Sequence, residues 1–287
     1  QILNGNRMNL RTCRYLVTAI LLSHGVVSTA SAQVNEDDWE YSLTPYIWLP
    51  TIDGTLKYNL PPGAGGSPNI SVGPTDWLEL LNAGLLVNGN ARKGRFSIFT
   101  DLVYLSLTSK NDGRVESVDD GGSRIPVDAS LVLNTRSDLD GLTITLAGGY
   151  ALRQTESTVV DIFAGVRFFG VDVTTSWDLT ASITAPGGGL VLPAQGSIGR
   201  DTDLWDGIVG VRGRQAIGDG NWSMPFYLDV GTGSSELTWN AMAGFSYEFG
   251  WGDLMLMYRH LEYDQDAASL LQDFSFSGPA FGARFHF

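Results

Sequence analysis

Between Leu237 and Phe249 the residues alternate strictly. Odd positions carry Leu237, Trp239, Ala241, Ala243, Phe245, Tyr247 and Phe249; even positions carry Thr238, Asn240, Met242, Gly244, Ser246 and Glu248. A period of two is the pattern of an extended strand with two unlike faces. The same phase recurs elsewhere. Trp222, Met224, Phe226, Leu228 and Val230 oppose Ser223, Tyr227 and Asp229, and Leu142, Ile144, Leu146, Tyr150 and Leu152 oppose Thr143, Thr145, Ala147 and Ala151. Leu85 and Val87 oppose Asn88, Asn90 and Arg92. Such strands fit a soluble sandwich with its apolar face inside. They also fit a membrane barrel with its apolar face outside.

Three features favour the barrel. Segments such as 95–108, 158–174 and 236–249 exceed ordinary soluble strands and match the roughly 9 to 11 residues that cross a bilayer at a tilt. Connections alternate in length. Those at Lys93-Gly94, 154–156, 218–220 and 250–252 are tight, while those near 59–79, 110–129, 181–200 and 265–273 are long and rich in Gly, Pro, Ser and Asp. Only the connection at 231–235 departs from this by being short. Short turns on one side and long loops on the other characterise outer-membrane barrels. The last strand places Phe281, Phe285 and Phe287 on one face and Arg284 and His286 on the other. The expected fold is therefore all-β: a transmembrane antiparallel up-and-down barrel. Ten strands are read near 39–58, 80–93, 95–109, 130–153, 157–180, 201–217, 221–231, 236–250, 253–264 and 274–287. Eight or twelve remain open, because 39–58 also reads as a strand followed by a hairpin.

The beginning of the chain agrees. Met8, Arg11 and Arg14 precede an apolar run from Tyr15 to Leu22, and Ala30-Ser31-Ala32 supplies small residues before a cut. This is the layout of a secretory signal peptide, too short to span a bilayer as a helix. Residues 1–32 are expected to be an N-terminal extension and signal peptide, with Ala30 and Ala32 at the cleavage site. Residues 33–287 are expected to form the barrel, and residues 1–7 read as a start-site artefact. The single cysteine, Cys13, falls in the basic region, so the mature chain has no thiol. Of 18 basic residues, Arg7, Arg11 and Arg14 leave with the leader, so 15 face 31 acidic ones, a net of −16. That charge excludes nucleic acid as a partner.

The chain resembles a family of uncharacterised bacterial outer-membrane proteins. The resemblance lies in Thr44-Pro45-Tyr46-Ile47-Trp48-Leu49-Pro50, Ala91-Arg92-Lys93-Gly94-Arg95, Thr100-Asp101-Leu102 and Leu146-Ala147-Gly148-Gly149-Tyr150. It continues in Trp205-Asp206 with Val209-Gly210, Leu237-Thr238-Trp239 and Ser277-Gly278-Pro279. It spans nearly the whole mature chain and implies the fold and no activity. The terminal Phe281, Phe285 and Phe287 resemble the C-terminal motif read by the barrel-assembly machinery. That machinery and the lipid and lipopolysaccharide of an outer membrane are the expected partners; nothing in the sequence points to an oligomeric state.

Charges facing lipid near the bilayer centre cost a few kcal/mol each, so the charged strand residues are expected inside. They are Glu40, Arg92, Arg95, Asp101, Asp161, Arg167, Asp206, Arg212, Arg214, Asp229, Glu248, Arg259 and Arg284. They read either as a paired network that closes the lumen or as the lining of a narrow small-solute path. Interaction through long acidic loops is the alternative function. An outer-membrane hydrolase is the third and least favoured reading, so catalysis is not expected, nor any cofactor or metal. The mature chain holds two histidines, His260 and His286. His286 lies at the wrong end for surface chemistry, and His260 shares the lipid face with Leu254, Leu256 and Tyr258. Two distant histidines and no cysteine make no zinc site. Acidic loop pairs such as Asp119-Asp120 and Asp264 with Asp266 read as solvated, and the glycine runs 63–66 and 187–189 lack the context of a phosphate loop. A helical turn over 74–81, capped by Thr75 or Asp76, is expected to fold Trp77, Leu80 and Leu81 against the barrel.

Overall fold

The turn residues of the short connections let neighbouring strands pair along their whole length. The computed structural model describes residues 38–56, 69–115, 128–185, 188–265 and 271–287. The expected leader, its cleavage site at Ala30 and Ala32, the glycine run 63–66 and the Asp119-Asp120 pair lie outside the described residues.

In chain order the strands are β1 (Trp39–Trp48), β2 (Thr51–Leu56), β3 (Asn69–Val72), β4 (Leu81–Lys93), β5 (Phe96–Val115), β6 (Asp128–Gln154), β7 (Thr158–Ala185), β8 (Gly188–Ala216), β9 (Trp222–Gly233), β10 (Leu237–Phe249), β11 (Gly252–Asp264) and β12 (Leu271–His286). One short helix, α1 (Pro74–Leu78), precedes β4. All pairings are antiparallel, each wall strand beside its sequence neighbour, and β1 pairs with β12 to close the ring. The backbones of Tyr41 and Phe287 exchange hydrogen bonds of 3.2 and 2.9 Å at that closure. β1 and β2 occupy one place in the wall and β3 flanks β2, so twelve strand segments make a ten-stranded barrel.

The first strand is where the count was open. β1 follows β4 from Trp39 opposite Lys93 to Pro45 opposite Val87 and then leaves it. Pro45 and Pro50 lack the N–H that a ladder needs. β2 resumes on β12 from Thr51 opposite Ser277, and β3 adds to its free edge. α1 bridges β3 to β4. Its Trp77 is 3% exposed and donates Nε1–H to the Pro50 carbonyl at 2.8 Å. The cap differs from expectation: Gly73 holds that position in extended backbone, and Asp76, one turn in, accepts the Gly73 N–H at 3.2 Å. Trp77 docks as expected and Leu80 is half-buried, whereas Leu81 stays exposed.

Two long loops also differ from expectation. Residues 110–115, 128–129, 181–185 and 188–200 are strand, so β5–β6 and β7–β8 form hairpin arms well beyond the length of a bilayer crossing. The tight turns are as read, with Gly94 and Gly218 at φ 54° and 65°. The two faces also separate as read. Arg167 is fully buried inside the ring, while Phe96 on the outside is 68% exposed, in company with Ile47, Ile98, Val209, Phe245, Leu256 and Phe281.

Candidate functional site

Strand phase turns one side chain in two toward the lumen, and the ring is narrow enough for these to meet across it. They stack in layers. At the turn end, buried Asp253 faces Arg284 at 3.6 Å and His286 at 3.1 Å. Arg214 meets Glu248 at 3.7 Å at the rim, where Glu248 is 61% exposed.

The next layer centres on Asp161, which pairs with Arg92 of β4 and lies 3.4 Å from Arg212 of β8. Arg212 also donates to Asn90 at 2.7 Å and Ser97 at 3.0 Å, and its guanidinium lies 3.8 Å above the Phe99 ring. Phe99, Phe163 and Tyr227, from β5, β7 and β9, pack edge and face with centroids 5.0 to 6.3 Å apart. Above them Arg259 reaches Asp101 at 2.8 Å and donates to the Tyr46 hydroxyl at 2.9 Å, while that hydroxyl donates to Asp101 at 2.8 Å. The triangle joins β11, β5 and β1 across the ring, and the guanidinium also lies 4.6 Å from the Trp48 ring. Arg167 pairs with Asp229, both side chains fully buried, and donates to Thr238 at 3.2 Å and Thr145 at 3.4 Å.

The loop-end layer is apolar. Phe169 of β7 meets Tyr263 and Phe274 at 4.9 and 5.0 Å. β7 and β12 stand on opposite sides of the ten-strand ring. Trp48, Leu204, Met257, Leu261 and Ala280 complete that cluster. Below it, between the Arg259 layer and the turn-end rim, a cavity of about 320 Å³ remains. Asn88, Arg92, Arg212, Arg259 and Arg284 are among its lining residues.

The structure thus brings Arg92, Asp101, Asp161, Arg167, Arg212, Asp229 and Arg259 together inside. Arg284 joins the turn-end layer. Arg214 and Glu248 sit at the rim, and Glu40 is exposed beside it. Arg95 is a correction: its strand has not yet begun, so it sits exposed in the turn after Gly94. Asp206 is buried but serves the chain locally, accepting the Ser235 N–H at 2.8 Å and hydroxyl at 2.9 Å. Sequence reasoning missed Tyr46, Asn90, Ser97, Thr145 and Thr238. Their polar groups in lumen phase were visible, but their partners lie on strands distant in the chain. Among the described residues no group of three or more metal-ligating side chains occurs.

No family model matches the chain, and no curated protein matches it. Among solved structures, the translocator domain of the autotransporter NalP from Neisseria meningitidis is similar over 97% of this chain and 95% of that one, with 12% identity and a TM-score of 0.32. The outer membrane protein AlkL covers 92% and 96% of the two chains at 14% identity and a TM-score of 0.30. The attachment invasion locus protein Ail of Yersinia pestis covers 88% and 99% at 10% and 0.29. The barrel assignment itself rests on the closed hydrogen-bond ladder of this chain.

Proposed function

We propose that the chain is an integral β-barrel of a bacterial outer membrane whose lumen is closed at rest. The exposed apolar wall supports the membrane reading: an outer face bearing Ile47, Phe96, Phe245 and Phe281 suits lipid. The crossed lumen supports closure, and the Arg259–Asp101–Tyr46 triangle beneath the Phe169–Phe274 contact carries that reading. A water-filled path would have to displace both. The assembly machinery, addressed through Phe281, Phe285 and Phe287, and outer-leaflet lipopolysaccharide are the partners of this reading.

Two measurements test it. Folded protein should shift on gels between heated and unheated samples; recovery as a soluble protein with no shift overturns the membrane reading. In planar bilayers the wild-type protein should be silent at high load. Steady ohmic steps would make it an open small-solute channel instead. A surface interaction role is the second reading, favoured by the 27 to 29 residues of β6, β7 and β8. Strands of that length carry their ends far past the headgroups.

A further inference from the structure

The outer wall is largely apolar, and His260 stands on it within a cluster of polar side chains. Cross-strand partners share a face, and the register sets Thr51, Ser277 and His260 side by side on β2, β12 and β11. Glu262 follows His260 by two residues on the same face, with Trp239 of β10 opposite it. His260 Nδ1 is hydrogen-bonded to the Ser277 hydroxyl, and His260 Nε2 lies 3.0 Å from Glu262 Oε2. The Trp239 ring lies 4.4 Å from the imidazole, tilted 36° to it. The site is open, with His260 25% and Glu262 37% exposed.

Its depth is informative. His260 stands eight positions above Gly252, the first residue of β11. At about 3.3 Å per residue and a usual barrel tilt, that is roughly 20 Å from the turn end. The apolar band of such barrels is about 25 Å tall, so the cluster lies just under the outer headgroups, where lipid acyl esters are held. Trp239 and nearby Tyr258 suit that boundary.

We propose that Ser277, His260 and Glu262 are a nucleophile, a base and the base's positioning residue, acting on acyl esters presented at the outer-leaflet boundary. A hydroxyl within reach of an imidazole that a third group orients is the arrangement such chemistry needs. Glu262 accepts the Nε2–H, which leaves the Nδ1 lone pair for the Ser277 hydroxyl. As Ser277 Oγ bonds to the ester carbonyl carbon, its proton passes to Nδ1. The carbonyl C–O bond then breaks and the leaving alkoxide takes that proton, releasing an alcohol. Water attacks the acyl-serine through the same base, freeing the carboxylic acid and restoring Ser277. Thr51, beside Ser277 on the side away from His260, offers a hydroxyl to the developing oxyanion, and Trp239 offers an apolar surface to the chain. The site opens to lipid, so a closed lumen does not hinder it.

The test uses the full chain, refolded in an ester-free detergent and verified by its gel shift. A fluorophosphonate probe should label Ser277, as peptide mapping reads, and Ser277→Ala should abolish labelling. His260→Gln should slow it by about 100-fold, the scale of a lost general base. Glu262→Gln should slow it while Glu262→Asp retains it, at an unchanged gel shift. Fatty-acid release is then followed from phosphatidylethanolamine vesicles and, separately, from a soluble p-nitrophenyl acyl ester. Turnover of either supports the proposal and says whether the ester comes from lipid or from solution. A folded wild type with no labelling at Ser277 overturns it, as does labelling without turnover of either ester. Should Ser277→Ala lose the gel shift, His260→Gln serves as the comparison.

Discussion

A charge buried in the lumen is only as tolerable as its partners. Arg259 is 2% exposed and is held by Asp101, Tyr46 and Asn240. Removing one member of a buried pair strands the other, at a cost of about 3 to 5 kcal/mol. Asp101→Ala should therefore lower the unfolding midpoint in denaturant strongly, while Asp101→Leu combined with Arg259→Met should lose less than the single change. Equal losses would mean that Arg259 finds water or another acceptor. On the β5–β6 arm, the Arg136 guanidinium beside Asp138 holds that carboxyl below the usual carboxylate range. A depressed folded value gives stability that is present above the ordinary carboxylate range and lost as pH falls through the lowered value. Both side chains are substantially exposed, so the pair adds little. Arg136→Gln should move the Asp138 titration upward in carboxyl NMR. At this scale the sequence was informative about direction and silent about partners. Phase alone put Arg92, Asp161, Arg167 and Arg259 inside. It could not name Tyr46 for Arg259, 213 positions away, because closure of the ring sets that contact. Arg95 was misread because phase continues through a turn while the strand does not.

Elements are decided by what they pair with. The stretch 181–200 reads as a loop from its Gly and Pro content, yet β7 and β8 pair without interruption from Thr158 opposite Gln215 to Ala185 opposite Gly188. Pro193 is accommodated because the ladder between β8 and β9 starts only at Asp206, which leaves that part of β8 an edge among the described residues. Ladder pairing overrides the weak local preference of such residues, so the sequence understated the strands while placing the tight turns correctly. The turns at Gly94 and Gly218 were legible because they need a backbone conformation few residues take. Gly218, at φ 65° with open space around a would-be Cβ, is limited by backbone alone. Gly218→Ala should cost about 1 to 2 kcal/mol in unfolding experiments, with the gel shift retained. α1 is held differently, through Trp77 and the Pro50 carbonyl. Trp77→Ala should speed proteolysis within residues 69–80 and leave cleavage elsewhere unchanged; uniform cleavage along the chain would mean that Trp77 supports the wall as a whole.

For the whole molecule, the distribution of contacts along the barrel axis separates a part crossed by side-chain layers from what projects beyond it. Every cross-lumen layer, from Asp253 to the Phe169–Phe274 contact, lies on strand segments within about twelve residues of the turn end. The arms of β5–β6 and β7–β8 continue past that level, paired among the described residues only with each other. Closure of the ring by β1 and β12 does not involve them. If the barrel is a closed membrane unit with appended arms, the arms are dispensable for folding and for silence in a bilayer. Joining Ser109 to Ser137, and Thr175 to Ile198, through two-residue turns would cut both hairpins at paired positions. The shortened protein should keep its gel shift and stay non-conducting, because each crossing retains more than the roughly 9 to 11 residues it needs. Loss of the shift would make the arms part of the folding unit. Conductance in a barrel that still shifts would mean that the arms, and not the charged layers beneath them, hold the lumen closed.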